Sequence, residues 1–291
     1  MNIPTYLNSL LINYYGNDIT NEILNGFNQE RITSLRVNTL KSSKEEVIDV
    51  LKANNIEYKN VDNIDFALII NADESVIREL NIYKEGKIYL QSLSSMLPPL
   101  YLDLKKESTI LDMASSPGGK TSEICALMNN KIFVTATEVN SIRFDRLKHN
   151  LELLGCKNIT CLRKDARELD DYFVFDNILL DSPCSGSGTI ENADYSKISE
   201  ELINKIQKTQ YELLKKALTM LKKGNTLVYS TCSILKCENE DIINRVKKEF
   251  NIEIVPIEAN IKTLPSTIDG VITVMPTKEY EGFFVAKIKK V

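Results

Sequence analysis

Histidine is nearly absent from this chain of 291 residues: His149 is the only one. A Ser-His-Asp or Cys-His site would have to use it. His149 falls in RFDRLKHNLELLG, whose apolar spacing predicts a helix, and there it reads as a core or surface helix histidine. Metal-ligand spacing is missing as well. Cys125, Cys156, Cys161, Cys184, Cys232 and Cys237 form no CxxC pair and have no histidine-rich partner set, so no structural zinc is expected. A cytosolic chain of this length needs no disulfides, and Cys125, Cys156 and Cys161 read as buried, inert thiols. No apolar run reaches the roughly 18 residues that span a membrane. The opening MNIPTYLNSLLINYYGND lacks the basic region and cleavage site of a secretory signal. A cytoplasmic protein without a membrane partner, monomeric by default, is expected. An excess of basic charge is also lacking: net charge is −4 and the pI about 5.4. That weighs against the basic footprint usual for nucleic-acid binding. Lys197, Lys205, Lys208, Lys215, Lys216, Lys222 and Lys223 form a local run, which read alone is a solvated helix face.

Alternation of short apolar runs with helical patterns dominates from about Ser108 onward. STILDMA, KIFVTATE, NITCLRK, FDNILLD and NTLVYSTC read as strands separated by helices, the later ones over Ser199 to Lys222 and Glu238 to Phe250. NIEIVPIE and GFFVAKIKK add two closing strands. This pattern predicts an α/β, Rossmann-like, doubly wound and mostly parallel seven-stranded sheet with an antiparallel edge. The earlier residues hold helical stretches near 4–27 and 43–54 and strands near TSLRVNTL and FALII, which suggests a small α+β domain. Asn81 to Gly86 reads as the joining stretch, giving domains of 1–85 and 86–291.

LDMASSPGGKT puts a strand, a glycine turn and a helix in succession. Two chemistries use that layout. ASSPGGKT meets a relaxed phosphate-loop pattern, and Asp181 at the end of FDNILLD would then hold magnesium in a nucleotide triphosphatase. Against this, Pro117 has no N–H for a phosphate cradle, and Ala114 stands where the first glycine belongs. A cofactor without phosphates asks less of the turn. Gly118 and Gly119 permit close backbone approach; the helix start and Lys120 offer positive charge to a carboxylate. Glu138, at the tip of the second strand, suits ribose hydroxyls. Asp165, at the tip of the third, can approach an adenine edge. Acids at consecutive strand tips favour an adenosyl cofactor over a triphosphate.

DSPCSGSG follows the fourth strand and YSTCS the fifth. Ligands in a doubly wound sheet bind beyond the carboxyl ends of the strands, so Cys184 and Cys232 should both face the pocket. Polar Ser/Gly/Pro loops around them favour reactive thiols over structural ones. A thiolate adding to carbon 6 of cytosine makes carbon 5 nucleophilic enough to take a methyl from a sulfonium. This is covalent catalysis, helped by a group that hydrogen-bonds or protonates N3. Asp181, three residues before Cys184, suits that role, and the base must leave its stack to be reached.

DMASSPGGKT, LLDSPCSGSGT and LVYSTCSILKCENE resemble the motifs of the Sun/Nop family of RNA (cytosine-5) methyltransferases. SLRVNTLK, YLQSLSSMLPPLYL and EGFFVAKIKK extend the resemblance from about Thr33 to Lys290. The resemblance implies S-adenosylmethionine as cofactor and RNA as partner, with ribosomal favoured over transfer RNA. It implies Cys232 as nucleophile and Cys184 as the thiol that helps release product. It implies cofactor contacts at Ala114, Ser115, Ser116, Pro117, Gly118, Gly119, Lys120, Glu138, Arg143, Asp165 and Asp181. Cys237 matches no family cysteine role and reads as structural. Ser115-Ser116 replaces the usual Ala-Ala, Ser182 replaces Ala before the Pro-Cys pair, and Asn225 stands where glycine is common. TIENADYSKIS is more acidic than the stretch usual after Gly188, so the N-terminal domain is expected to share RNA recognition. The rivals are the triphosphatase, a DNA cytosine-5 methyltransferase attacking through Cys184, and a non-catalytic RNA-binding scaffold. The DNA reading leaves the ENE after the second cysteine without a purpose.

Overall fold

The computed structural model of the protein describes residues 3–196 and 198–291. Lys197, part of the lysine run, lies outside them, as do the first two residues. The chain starts with α1 (Thr5–Phe27), which bends at Gly16, where φ is +76°. β1 (Thr33–Val37), β2 (Tyr58–Asn60), β3 (Ala67–Ile70) and β4 (Ile88–Leu90) build an antiparallel sheet in the order β2-β3-β1-β4. α2 (Lys44–Ala53) is started by Ser43, whose side chain accepts from the Glu46 N–H, and covers one sheet face with Val47 and Leu51. α3 (Glu74–Glu79) and α4 (Asn81–Lys84) complete this layer. The stretch expected to join two domains is thus α4 and a turn, and the small sheet takes its last strand from beyond residue 86.

The larger sheet uses β5 (Thr109–Asp112), β6 (Phe133–Thr137), β7 (Ile159–Leu162), β8 (Phe175–Asp181), β9 (Leu221–Thr231), β10 (Ile252–Val255), β11 (Ile272–Val274) and β12 (Phe283–Lys290). Its order is β10-β12-β9-β8-β5-β6-β7, with β5 to β9 parallel and β12 antiparallel to β9. The seven expected strands are there, and β11 is an eighth, pairing with the near end of β12. Ile178, Leu179, Leu180, Leu227, Val228 and Tyr229 are wholly buried. Central strands covered on both faces read as continuous apolar runs for that reason. α5 (Leu97–Leu100), α6 (Gly119–Leu127), α7 (Ser141–Leu153), α8 (Glu200–Met220) and α9 (Glu240–Val246) complete the fold. α9 is shorter than the helix expected over Glu238 to Phe250. A 3-10 turn at Lys236–Glu238 precedes it, and Asn239 (φ −116°, ψ −92°) breaks the run.

Two contacts fix the small sheet and α1 relative to the large one. Arg36 on β1 is buried behind α6; it donates to the Gln91 side chain (2.9 Å), to Ser122 Oγ (2.7 Å) and to the Gly119 carbonyl (3.3 Å). Leu7, Leu11, Tyr15, Ile23 and Phe27 of α1 pack away from the small sheet, against Ile190, Tyr195, Ile198, Ile234 and Leu235. Each such side chain contributes roughly 1.5–3 kcal/mol on burial, so α1 is anchored on the segments that follow the two cysteines. The acidic stretch after Gly188 is held beneath it: the Ala193 N–H donates to the Phe27 carbonyl (2.9 Å), and Glu191 accepts from the Arg31 N–H (2.9 Å).

Candidate active site

Strand order reverses between β5 and β8, the switch point at which ligands bind in doubly wound sheets. Asp112 ends β5 and Asp181 ends β8 there. After Asp112 the chain turns tightly. Ser115 Oγ donates to the Asp112 carbonyl (2.8 Å), and the Gly118 N–H donates to the Ser115 carbonyl (2.7 Å). Gly118, at φ +103°, then starts α6. Both glycines also make room for neighbouring side chains: a Cβ would lie 3.2 Å from Leu147 at Gly118 and 3.0 Å from Tyr89 at Gly119.

Lys120 reaches across the switch point. Its Nζ lies 2.8 Å from Asp181 Oδ2 and donates to Ser95 Oγ (2.7 Å). Burial works against its charge, but the Asp181 carboxylate outweighs this and holds Lys120 above its ordinary value. Asp181 Oδ1 accepts from Ser230 Oγ (2.8 Å). Asp112 is more confined. Oδ2 accepts from Thr121 Oγ1 (2.6 Å), while Oδ1 is buried without a partner. Burial lifts its carboxyl to about 6, with Thr121 opposing and Asp181 adding to the rise. Sequence reasoning passed over Asp112, although the signal that selected Asp181, an acid closing an apolar strand, was present there too.

Pairing of Asp181 with Ser230 in the β8–β9 register brings the next residues of both strands side by side. Cys184 Sγ and Cys232 Sγ are 2.7 Å apart and share a hydrogen bond; all six cysteines are free thiols. Further bonds lace the loops: Gly188 N–H to the Cys232 carbonyl (3.0 Å), and Ser187 Oγ with Ser233 Oγ (2.8 Å). The Cys184 thiol is pushed well above its ordinary value, first by its hydrogen bond to Cys232, then by burial, then by the charges of Cys232 and Glu238. Lys120, in contrast, has Cys232 among the neighbours that favour its charge. Glu238 and Asn239, of the ENE, are wholly buried behind these loops.

Two cavities meet at this point. One, of about 330 Å³, is lined by Glu138, Arg143, Asp165, Cys184 and Cys232. The other, of about 520 Å³, lies against the small sheet and is lined by Ser115, Pro117, Gly119 and Lys120, with Asp112 at its floor. Ala114, Ser116 and Asp181 line both, and Gly118 lines neither. Glu138 accepts from the Asn140 N–H (2.8 Å) and lies 3.3 Å from Arg143 Nε. Asp165 is paired with Arg167 at 2.6 Å. The predicted site residues other than Gly118 therefore converge on one crevice, divided between two chambers. Among the described residues no cluster of His, Cys, Asp and Glu could hold a metal ion, and no helix is long and apolar enough to cross a membrane.

This sheet, with paired thiols beyond β8 and β9, has the Rossmann-like methyltransferase fold. A family described as 16S rRNA methyltransferase RsmB/F matches residues 99–289, and its ferredoxin-like domain matches residues 3–76. The chain belongs to that family, which bears out the Sun/Nop resemblance. The ribosomal RNA small subunit methyltransferase F of Shewanella halifaxensis is 38% identical over 281 residues, covering 89% of this chain and 58% of that protein. The chain thus spans less than two thirds of that relative. A methyltransferase homolog protein from Pyrococcus horikoshii is 30% identical with a TM-score of 0.86, over 99% of this chain and 100% of that one. The structure of NSun6 from Pyrococcus horikoshii with SFG superposes at a TM-score of 0.90 over 99% of this chain and 98% of that one. At 23% identity it attests the fold.

Proposed function

We propose that this protein is an S-adenosylmethionine-dependent methyltransferase that forms 5-methylcytosine in RNA, ribosomal in preference to transfer RNA, with Cys232 as the nucleophile. The observation that carries this reading is the contact of Cys184 and Cys232 beside the Lys120–Asp181 pair. A ribosomal substrate puts the reaction in the cytoplasm. Residues 1–85 take part in RNA recognition and 86–291 in catalysis.

The crevice fits an adenosyl amino acid. Asp112 Oδ1, buried and unpartnered on the floor of the larger cavity, suits an ammonium group. Glu138, Arg143 and Asp165 line the other chamber and suit the nucleoside. Ala114, Ser116 and Asp181, shared by both, would lie along its middle. When bound, the cofactor supplies a methyl group on a sulfonium. NSun6 of Pyrococcus horikoshii, which shares this fold, was solved with SFG.

The residues then divide the work. Cys232 attacks from beside the Cys184 thiol, 2.7 Å away, on the side of the site that holds the Lys120–Asp181 pair. The Cys232 thiolate adds to carbon 6 of the flipped cytosine, while Asp181, backed by Lys120, stabilises the ring at N3. Carbon 5 accepts the methyl. Bonding of Cys232 to carbon ends the thiol–thiol hydrogen bond, the first cause of the high Cys184 value, and removes the Cys232 charge as well, so Cys184 yields its proton to solvent more readily. It then takes the carbon 5 proton as Cys232 leaves. Attack by Cys184 instead, as in the DNA-type reading, would require a thiolate beside the Glu238 carboxylate. The test is incubation with labelled S-adenosylmethionine and total RNA or DNA, followed by nucleotide mapping. Label in 5-methylcytosine of RNA is expected; label in DNA alone, or none, would overturn the reading.

A further inference from the structure

Resting on the cytosine-5 reading above, we propose that Glu238 and Asn239 are positioning residues that divide the two thiols: Glu238 sets Cys184 for product release, and Asn239 sets Cys232 for attack. The two side chains are neighbours in sequence but grip different loops. Glu238 Oε2 accepts from the Ser185 N–H (2.8 Å) and from Gln210 Nε2 (3.2 Å), and Oε1 accepts from Ser185 Oγ (2.5 Å). Ser185 directly follows Cys184. Asn239 Oδ1 accepts from Thr231 Oγ1 (2.6 Å), and its Nδ2 donates to the Ser233 carbonyl (2.9 Å). Thr231 and Ser233 flank Cys232.

A buried carboxylate is costly unless its charge is met. Among the described residues no lysine or arginine makes an ion pair with Glu238; burial pushes its carboxyl up, and the neutral donors Ser185, Gln210 and Ser233 oppose the rise, those of Ser185 being the closest. Packing alone would be served by an apolar residue. When ionised, Glu238 favours the neutral form of the Cys184 thiol, as it does for Tyr229 and Cys237. Asn239 adds no charge, and its amide fixes both neighbours of Cys232 through opposite ends. Its backbone breaks the helix that would otherwise begin at Glu238. One break in the chain therefore aims consecutive side chains at different thiols.

The test follows a covalent protein–RNA adduct on small-subunit ribosomal RNA in quenched time courses. Wild type and Cys184→Ala come first. If neither labels RNA nor forms an adduct, the cytosine-5 reading fails, and that failure is separate from this one. Glu238→Gln should form adduct at the wild-type rate and release it about 10- to 100-fold more slowly, the cost of a misplaced catalytic group. Asn239→Ala should slow adduct formation by a similar factor without accumulating adduct. In a Cys184→Ala background Glu238→Gln should have no further effect on formation, while Asn239→Ala should still slow it. Ser185→Ala and Thr231→Val delete the hydroxyl bonds to Glu238 and Asn239 respectively and repeat the contrast if the larger changes fail to fold. Alkylation by iodoacetamide reads the same division without RNA: Glu238→Gln should move the pH onset of Cys184 labelling downward and leave Cys232 unchanged. Equal slowing of both steps by both variants, or a Cys232 onset that moves with Glu238→Gln, would overturn the proposal.

Discussion

The loops after β8 and β9 are alike in composition and opposite in surroundings. Both carry a cysteine among serines just beyond a parallel strand, and the β8–β9 register sets them side by side. The Cys184 loop leans on the Glu238 carboxylate, and its thiol is held neutral by a hydrogen bond, burial and nearby negative charge. The Cys232 loop leans on the neutral amide of Asn239, and its sulfur lies near the Lys120 ammonium. Two equivalent-looking nucleophiles are thereby made unequal by what stands behind them. Thiolate character, and with it the power to attack, follows local charge. Sequence alone assigns the roles only by resemblance; under the proposed function, the different surroundings of the two loops are what would tell the thiols apart.

Replacing the cysteines tests that inequality most strongly. Cys232→Ala should lower methylation by ~10⁴-fold or more, as loss of a nucleophile does, and should form no adduct; filter-bound label and denaturing gels read both. Cys184→Ala should spare bond formation, lower multiple turnover by ~10²–10⁴-fold, the range for a lost proton carrier, and leave an adduct that survives denaturation. Asp181→Asn should lower kcat by ~10²–10³-fold and should slow adduct formation in the Cys184→Ala background, assigning it to the attacking side. Smaller still is a shift in reactivity. Cys232→Ser removes the sulfur that is the first cause of the high Cys184 value, so the pH onset of Cys184 alkylation should fall. An unchanged or rising onset would break the electrostatic half of the comparison.

Arg36→Met is the control, because Arg36 lies behind α6 and away from both loops. Stability should fall by ~3 kcal/mol at pH 9, where Glu123, its partner gone, must either stay a buried unpaired charge or take up a proton. The fall should be smaller at pH 6. Burial raises the Glu123 carboxyl to about 8 against the pull of Arg36, so its proton is retained there and lost as pH rises through that value. Denaturant titrations at the two pH values check this. The ratio of adduct formation to release should stay at the wild-type value.

Much of the fold and site is legible in the residues themselves. Strands buried on both faces are apolar runs, and strand ends mark where ligands gather, so the large sheet, the turn and both cysteines are readable. Strands of three residues such as β2 and β4 carry too little periodicity to be seen. β4 is hidden further by the stretch before it, which looks like a linker and packs Ile82 into the small core. The helix at Glu238 reads too long because helical spacing is a local signal, whereas Asn239 is pulled out of it by Thr231 and Ser233. Proximity in sequence points α1 to the small domain; its apolar face belongs to the loops beyond the cysteines. The Lys120–Asp181 pair joins residues from separate strand–helix units, and nothing local announces it.

The most direct test is to find the sulfur that bonds the base. Cys184→Ala is incubated with S-adenosylmethionine and small-subunit ribosomal RNA, the adduct is isolated under denaturing conditions, and tryptic fragments are mapped by mass. Cys232 is the only cysteine in the fragment 224–236, so the nucleotide should appear on that fragment. Absence of adduct in Cys184→Ala, with an adduct in Cys232→Ala carried on Cys184, would contradict the account.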